Sequence, residues 1–369
     1  MPNQRFSLAA ATAPHARWVG RLSVLLALFV LLSGTARFAP VPAMRVFCIN
    51  VGQADCTLLE FPGGAVLIDA GADAEHRGEA KAFLQKFFAR RTDLHNTLES
   101  IIVTHSHIDH TVELQSLIEG FTVRRVIDNG NRNSSGRAYM RWVEQAGVPQ
   151  HNVRLIAVPQ QKVEAAHAGH TDADIDPFPM LDGVDPQIHI LSASRDENPG
   201  WPSGVFDNEN NHSLVVRVDF GQASLLFTGD MEEDALETLV DDYASNRRLD
   251  VDVYHVGHHG SHNATTDELL QAMSPQIAVI SMGPWDFGRG SKGRFTTFAY
   301  GHPRILTLDR LQAAIPGFRS KPVEIRAAKG ARDFRDYSVK KRVYATGWDG
   351  SIEINATADR RYRTTVNGN

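Results

Sequence analysis

A short apolar run, Ile101–Val103, continues after one threonine into the sequence H-S-H-I-D-H, and this junction constrains the fold more than any other feature. The run is typical of a buried strand. Alternate side chains of a strand point to opposite faces, so His105 and His107 can point the same way at the edge of a sheet. Asp109 and His110 then begin the next element and can face a second point nearby. The pattern predicts an α/β protein with this cluster at the carboxyl end of a strand, where open α/β sheets place their sites.

The side chains of this cluster are those that bind divalent metals. Imidazole and carboxylate groups are ligands of zinc and similar cations, and two sets of them a few ångströms apart suit a dinuclear site. A lone histidine more often caps a strand or lies on a solvated loop. Three histidines and an aspartate within six residues favour a metal site over that simpler interpretation. The predicted chemistry is metal-assisted hydrolysis.

Composition and charge fit an ordinary globular protein. The chain has 369 residues, of which 42% are hydrophobic and 22% are charged, enough for one large core or two small ones. Residues 287–369 carry 17 Lys and Arg against 7 Asp and Glu, whereas the whole chain has a formal net charge of −5. A basic surface could attract a polyanion such as nucleic acid. A solvated surface that balances the acidic part of the chain is the favoured interpretation.

Residues 1–36 have the layout of a secretory signal peptide, with Arg17 and Arg21 followed by the apolar run Leu22–Leu32 and a group of small residues. Cleavage after Ala36 or Ala43 would release an exported domain, periplasmic or extracellular. The alternative is a short N-terminal membrane anchor, although the apolar run is short for a full span. Either form predicts that the domain works outside the cytoplasm.

The chain has two cysteines, Cys48 and Cys56, and both lie in predicted strands. They could pair in an oxidising compartment, but neither belongs to a metal-binding cysteine motif. Buried free thiols are the favoured interpretation.

Hydrophobic periodicity predicts strands first and then strands that alternate with helices. The predicted strands are 44–50, 56–61, 65–69, 101–104, 124–127, 153–158, 187–191, 214–220, 223–227 and 251–254, and the predicted helices are 75–91, 112–118, 137–146 and 232–242. Residues 160–211 are rich in loops, prolines and aspartates and are predicted to form a surface insertion or lid. The hydrolase domain is predicted to span residues 44–355, followed by a basic C-terminal tail at 356–369.

Several segments follow one another in the order and spacing of a known family. They are Phe47–Asp55, Leu67–Gly71, His105–His110, Leu226–Asp230, His258–Ser261, Tyr300–Pro303 and Gly347–Ile354. With these segments the chain resembles the metallo-β-lactamase superfamily, and within it the hydrolase domains of ComEC-type DNA-uptake proteins. Two positions depart from the opening motif, since Asn50 replaces its usual aspartate and Ala54 replaces its glycine.

The resemblance implies the αββα sandwich of that family, with two mixed sheets packed face to face, helices outside and a metal site at one edge. It also implies two divalent metal ions, with Zn²⁺ as the default and Mn²⁺ as the main competitor. The implied ligands are His105 and His107 at the first metal, Asp109, His110 and His258 at the second, and Asp230 as a bridge. The family pattern leads us to expect His212 as a third histidine at the first metal, with Asn210 or a water as the alternative.

The resemblance also assigns residues to catalysis and to substrate binding. They are Asp109, His259 and His302 for catalysis, and Ser261 and Asp55 for substrate binding. Adjacent residues face opposite ways on an extended backbone, so one histidine of the pair at 258 and 259 is expected to coordinate metal. His258 is the preferred one, which leaves His259 to bind substrate or to protonate the leaving group.

The implied function is hydrolysis by a hydroxide that bridges two divalent metals. A phosphodiester, with nucleic acid as a candidate, is the favoured substrate. The sequence shows no multi-span channel domain, which favours a free-standing secreted phosphodiesterase over a transporter. The alternatives are a carboxylic-ester, lactone or β-lactam hydrolase, and a non-catalytic binding module of the same fold. The oligomeric state is left open.

Overall fold

Apolar runs become strands throughout the part of the chain that this computed structural model describes, residues 41–290 and 295–367. The strands there are β1 (Ala43–Cys48), β2 (Thr57–Phe61), β3 (Gly64–Ile68), β4 (Thr97–Leu98), β5 (Ser100–Ile102), β6 (Thr122–Val123), β7 (Arg125–Asp128), β8 (Arg154–Ala157), β9 (Pro186–Ser192), β10 (Val215–Phe220), β11 (Ala223–Phe227), β12 (Val253–His255), β13 (Ile277–Ile280), β14 (Phe318–Gly330), β15 (Asp333–Lys341), β16 (Val343–Ala345), β17 (Ser351–Thr357) and β18 (Tyr362–Asn367).

Helices connect many of these strands. The α-helices are α1 (Glu79–Arg90), α2 (Ile108–Thr111), α3 (Leu114–Gly120), α4 (Arg137–Trp142), α5 (Val148–His151), α6 (Gln160–Ala166), α7 (Ser203–Phe206), α8 (Glu233–Asp242), α9 (Asp267–Met273), α10 (Thr297–Tyr300), α11 (Ile305–Ala314) and α12 (Thr346–Asp349). Single 3₁₀ turns lie at Thr92–Leu94, Glu209–His212 and Gly257–Gly260, and a π turn lies at Val143–Gly147.

Two mixed sheets contain most of the strands. The first has the order β18-β17-β1-β2-β3-β5-β7-β8 and is antiparallel from β18 to β3 and parallel from β3 to β8. The second has the order β16-β13-β12-β11-β10-β9 and is parallel from β16 to β11 and antiparallel beyond it. Neighbouring parallel strands end at the same edge of a sheet, so the loops after β5 and after β11 can each gather side chains there.

The two sheets pack face to face. Val46 and Ile102 of the first sheet share one core cluster with Val216 and Val253 of the second. The outer face of the first sheet is covered by α1 and α3, and that of the second by α8, α9 and α11. These layers confirm the predicted αββα sandwich, and residues 42–369 form one compact unit.

The segment 160–211 does not form one surface loop. It contains α6, and its strand β9 pairs with β10 as an edge strand of the second sheet. Between them, Ile175 and Phe178 are buried in the core between the sheets, where the Phe178 ring lies 4.7 Å from that of Phe61. Buried apolar side chains therefore tie much of the predicted insertion to the core.

Residues 356–369, expected to be a basic tail, contain the edge strand β18. The hydroxyl of Tyr362 donates a hydrogen bond of 2.6 Å to Asp252 Oδ2, and Arg360 Nε donates one of 2.8 Å to Asp252 Oδ1. Asp252 is fully buried and immediately precedes β12. These bonds fasten the end of the first sheet to the second.

The location predicted for the protein needs a correction. Among residues 41–290 and 295–367, no helix combines the length and the apolar character needed to cross a membrane. The predicted signal or anchor at residues 1–36 lies outside the described residues. The membrane anchor given as the alternative for this segment is therefore withdrawn, while export stays a prediction.

Both cysteines are free and buried. Cys48 ends β1, and Cys56 immediately precedes β2. Burial raises the pKa of the Cys48 thiol to about 12 and also raises that of Cys56. The favoured prediction of buried free thiols is confirmed.

We expect neither thiol to react with Ellman's reagent in the native protein at pH 8, because burial disfavours the reactive thiolate. Both should react once the chain is unfolded in guanidinium chloride without a reductant. An unfolded chain that releases no thiol signal would show a disulfide and contradict the structure.

Tyr362→Phe should lower the free energy of unfolding by about 1.5–3 kcal/mol, because it removes a hydrogen bond to a buried carboxylate. Urea denaturation followed by circular dichroism would measure the change. Tyr139→Phe is the control, since the Tyr139 hydroxyl hydrogen-bonds to no described residue. Equal stability of the two variants would show that the bond to Asp252 does not hold β18 in place.

Candidate metal centre

The turn after β5 is held by a buried aspartate from the neighbouring strand. Asp69 follows β3, and its Oδ1 accepts a hydrogen bond of 2.7 Å from the backbone N–H of Thr104. Its Oδ2 accepts the Thr104 hydroxyl at 2.9 Å and lies 2.8 Å from His110 Nδ1. The same turn packs tightly against Gly71, where an added Cβ would lie 1.6 Å from the Asp109 carbonyl oxygen. The backbone of the H-S-H-I-D-H segment is therefore fixed on two sides.

Asp230 lies at the centre of the candidate site. It follows β11 and Gly229, which has a φ of +54°, and it is only 2% exposed. Its backbone N–H donates to the Ser213 hydroxyl at 3.1 Å. Its Oδ2 lies 3.4 Å from His110 Nε2 and 3.9 Å from His105 Nε2. One carboxylate thus faces ligands from both parts of the histidine cluster.

Two groups of side chains could each hold a cation, and Asp230 belongs to both. The first group is His105, His107 and Asp230, and the second is Asp55, His110, Asp230 and His259. The His105 Nε2 and His107 Nδ1 atoms lie 2.9 Å apart, so the two rings converge on one point. The arrangement is that of two neighbouring metal sites bridged by one carboxylate.

Buried polar atoms without partners test whether a metal fits. His110 Nε2, His259 Nε2, Asp230 Oδ1 and Asp55 Oδ1 are sealed from solvent and have no hydrogen-bond partner. His110 Nδ1 is held by Asp69, and His259 Nδ1 donates to the Ser281 carbonyl at 2.9 Å, so each ring is oriented to offer its Nε2 lone pair. Unpaired buried polar atoms are costly, and a shared cation would satisfy all four. The residues therefore fit a dinuclear metal site.

The pKa values of the buried histidines show how strongly these groups interact. Burial, reinforced by the charge of His110, lowers the pKa of His105. Burial also opposes protonation of His110, but the carboxylates of Asp230 and Asp69 raise its pKa well above the ordinary value. His259, buried in the same way and facing Asp230, has its pKa raised to about 9. Without a cation, protons on His110 and His259 offset the negative charge of the carboxylates. A metal that binds there must displace these protons.

The structure exchanges the positions expected for the two adjacent histidines. His258 and His259 both have left-handed backbones, with φ of 48° and 52°, and not the extended backbone from which one coordinating histidine was expected. His259 is 2% exposed and its Nε2 lies 3.3 Å from Asp109 Oδ2, which places Asp109 beside the second group. The His258 side chain is 22% exposed, with Nδ1 3.4 Å from Glu232 Oε1 and Nε2 3.9 Å from Asp230 Oδ2. His259 thus belongs to a ligand group, and His258 faces it from the rim.

His212 is not brought into either group. Its Nδ1 accepts a hydrogen bond of 3.2 Å from the backbone N–H of Arg195, and its Nε2 lies 2.7 Å from the Phe206 carbonyl oxygen. Both ring nitrogens are therefore occupied within the protein. The alternative, Asn210, is buried and has an unpaired Oδ1, while its Nδ2 donates to Glu232 at 3.0 Å.

The residues predicted to bind substrate occupy different surroundings. Asp55 is buried, with Oδ1 3.3 Å from His255 Nε2 and Oδ2 3.4 Å from His259 Nδ1, so it lies inside the second group. The Ser261 hydroxyl donates to Asn263 Oδ1 at 2.7 Å. His302 lies at the rim, with its ring centroid 5.7 Å from that of His258.

Some residues of the site escaped the sequence prediction. Asp69 was seen only as part of a strand motif, although it orients His110. Glu232, which faces His258, and His255, which faces Asp55, were not singled out. His255 ends β12, so its place at the carboxyl end of a parallel strand could have indicated it.

Comparisons with known proteins agree with this fold. The family sequence model described as the metallo-beta-lactamase superfamily matches residues 49–283 of this chain. ComE operon protein 3 of Bacillus subtilis is 28% identical over 251 residues, which cover 65% of this chain and 28% of that protein. Recombination protein 2 of Haemophilus influenzae is 26% identical over 253 residues, which cover 66% of this chain and 25% of that protein. The chain thus spans about a quarter of the length of these relatives.

A similar solved structure is that of the metallo-β-lactamase fold protein YhfI from Bacillus subtilis. The superposition covers 64% of this chain and 85% of the YhfI chain, with 11% sequence identity and a TM-score of 0.39. The family assignment rests on the sequence match, which includes more than half of the chain and both ligand-bearing loops after β5 and β11. This chain therefore belongs to the metallo-β-lactamase superfamily.

Proposed function

We propose that the chain is a metal-dependent phosphodiesterase. The observation that carries the proposal is the pair of candidate ligand groups that share Asp230, with four buried polar atoms of the second group left unpaired. Two divalent cations held there would supply Lewis acidity that activates water and neutralises charge on the substrate. Zn²⁺ is the proposed metal, with Mn²⁺ as the competitor, because imidazole and carboxylate ligands accept both.

Each residue of the site has a distinct task in this proposal. His105 and His107 would hold the first cation, Asp55, His110 and His259 would hold the second, and Asp230 belongs to both groups. Asp69 and the Ser281 carbonyl act through hydrogen bonds that orient the ligand rings. Asp109 lies beside His259, where it would supply a further carboxylate to the second group.

The partly exposed His258 is the proposed contact to the leaving group. Its Nδ1 faces Glu232, whose Oε1 is itself held by Asn210. The carboxylate of Glu232 orients the ring of His258, and the exposed part of that ring can meet a substrate. His259 is almost completely buried, with Nδ1 held by the Ser281 carbonyl and Nε2 left without a hydrogen-bond partner, so it suits ligation better.

Similarity to relatives and the charge distribution support a phosphodiester as the substrate. The matches to ComE operon protein 3 and to Recombination protein 2 run for 251 and 253 residues, about two thirds of this chain. The net positive charge of residues 287–369 favours an anionic substrate, and nucleic acid is one candidate. An intact ligand set argues against a non-catalytic binding module.

We expect the protein to bind two zinc ions per chain, one at each ligand group. His259→Ala should weaken binding of one ion by more than the about 10–100-fold that loss of a supporting residue costs, whereas His258→Ala should retain both. Metal analysis after dialysis and zinc titration by calorimetry would measure this. Loss of metal from His258→Ala but not from His259→Ala would reverse the assignment.

Asp230→Asn should lower the rate of bis-p-nitrophenyl phosphate hydrolysis by about 10⁴-fold or more, the size of loss seen when a member of a catalytic unit is removed. Single-stranded DNA and a lactone should be assayed in parallel, each with zinc, with manganese and with a chelator. His151→Ala is the control, because it changes an exposed histidine that belongs to neither ligand group, and it should keep full activity. Turnover of the lactone alone would refute the phosphodiesterase, and unchanged activity of Asp230→Asn would refute the metal mechanism.

A further inference from the structure

The side-chain amide of Gln53 holds His302, whereas oxygen atoms hold His110 and His259 of the second ligand group. It is 4% exposed, and its ring centroid lies 5.7 Å from that of His258 and 6.2 Å from that of His259. The Tyr300 ring stacks on it at 5.5 Å with an interplanar angle of 12°. Its Nδ1 lies 3.1 Å from Gln53 Nε2, and its Nε2 hydrogen-bonds to no described residue. One nitrogen is therefore fixed within the protein and the other is available at the rim of the site.

The other partners of Gln53 establish which of its atoms is the oxygen. The backbone N–H of Gly283, which can only donate, points to Oε1 at 3.4 Å. The Thr297 hydroxyl lies 2.7 Å from the same atom. The remaining atom of the amide, which faces His302, is therefore the NH₂ group. An NH₂ group can only donate, so His302 Nδ1 must be unprotonated and the single ring proton lies on Nε2.

Tight packing keeps this hydrogen bond in place. The backbone N–H of Gln53 donates to Asp73 Oδ2 at 2.9 Å. A Cβ on Gly283 would lie 3.2 Å from the Gln53 backbone nitrogen, so glycine permits the close approach. Thr297 is fully buried, and its carbonyl accepts the backbone N–H of His302 at 3.3 Å. Gln53 and His302 are thus each fixed by backbone contacts as well as by the bond between them.

The two ring nitrogens of His302 have the opposite hydrogen-bonding roles to those of the candidate ligands His110 and His259. His110 and His259 direct Nδ1 at an oxygen atom, which places the proton there and leaves an Nε2 lone pair for a cation. His302 accepts at Nδ1 and carries its proton on Nε2. A protonated Nε2 cannot bind a metal or act as a base, but it can donate a hydrogen bond.

We propose that Gln53 is a positioning residue that holds His302 in the neutral tautomer protonated at Nε2, so that His302 donates a hydrogen bond to an oxygen of the bound substrate. The identity of that oxygen, on the phosphoryl group or the leaving group, rests on the proposed phosphodiester hydrolysis. The tautomer of His302 does not depend on that proposed function.

Nitrogen NMR of the full chain, labelled with ¹⁵N-histidine and loaded with diamagnetic zinc, tests the tautomer directly. We expect one histidine with an unprotonated Nδ1 and a protonated Nε2 whose signals disappear in His302→Gln. Gln53→Glu is nearly isosteric, but its carboxylate only accepts, so the proton should move to Nδ1. A His302 protonated at Nδ1 in the wild type, or unchanged by Gln53→Glu, would overturn the proposal.

Kinetics with bis-p-nitrophenyl phosphate test the donated bond. Gln53→Glu should lower kcat by about 100-fold with little change in KM, as loss of one preorganised donor does. His302→Gln can still donate from the Nε2 position and should retain more activity than His302→Ala. Gln222→Glu is the matched control, because it adds the same charge at the exposed turn between β10 and β11.

The two proposals fail in distinguishable ways. A wild type that hydrolyses no phosphodiester refutes the proposed function, while the nitrogen spectrum still decides the tautomer. Equal activity of His302→Ala, His302→Gln and the wild type would refute the donated bond whatever the tautomer.

Discussion

The carboxylate of Asp69 is the interaction on which the metal centre depends. It lies fully inside the protein, at the end of β3, and receives three donors from the turn after β5: the N–H and hydroxyl of Thr104 and the ring of His110. A buried carboxylate is unfavourable unless it is hydrogen-bonded, so the turn can adopt only conformations that satisfy it. One such conformation directs His110 Nε2 at Asp230, and this direction makes the second ligand group possible.

The sandwich contributes the second half of the site because its two sheets are joined at the same edge. The Leu214 N–H donates to the Thr104 carbonyl at 2.7 Å, which links the approach to β10 with the turn after β5. Ser213, next to it, accepts the backbone N–H of Asp230. A cation at this edge would therefore be held by both sheets. Binding would add to the contacts between the sheets, because the ligands come from loops that belong to each of them.

The sequence predicted the parts of the molecule that local chemistry determines. Buried strands such as β3, β10 and β11 follow from apolar runs, and the H-S-H-I-D-H segment identifies ligands within six residues. Long-range features were missed for physical reasons. His212 was expected as a ligand, but Arg195 and Phe206, brought together by the chain that precedes it, occupy its ring. The hairpin of β14 and β15 was not predicted, since its many exposed charged residues weaken the apolar alternation that marks a strand.

The turn at His258 and His259 shows why the directions of two adjacent side chains are hard to predict from sequence. Left-handed backbone is unfavourable for residues other than glycine, by about 1–3 kcal/mol each, and two successive residues adopt it here. Gly260 follows with a φ of +81°, where an added Cβ would lie 2.8 Å from Pro303 Cβ. The surrounding contacts that hold this conformation, among them His258 N–H to Gly229 and His259 Nδ1 to Ser281, come from distant segments. The strained turn separates the two rings, so that His259 is buried beside Asp109 while His258 stays partly exposed near Glu232.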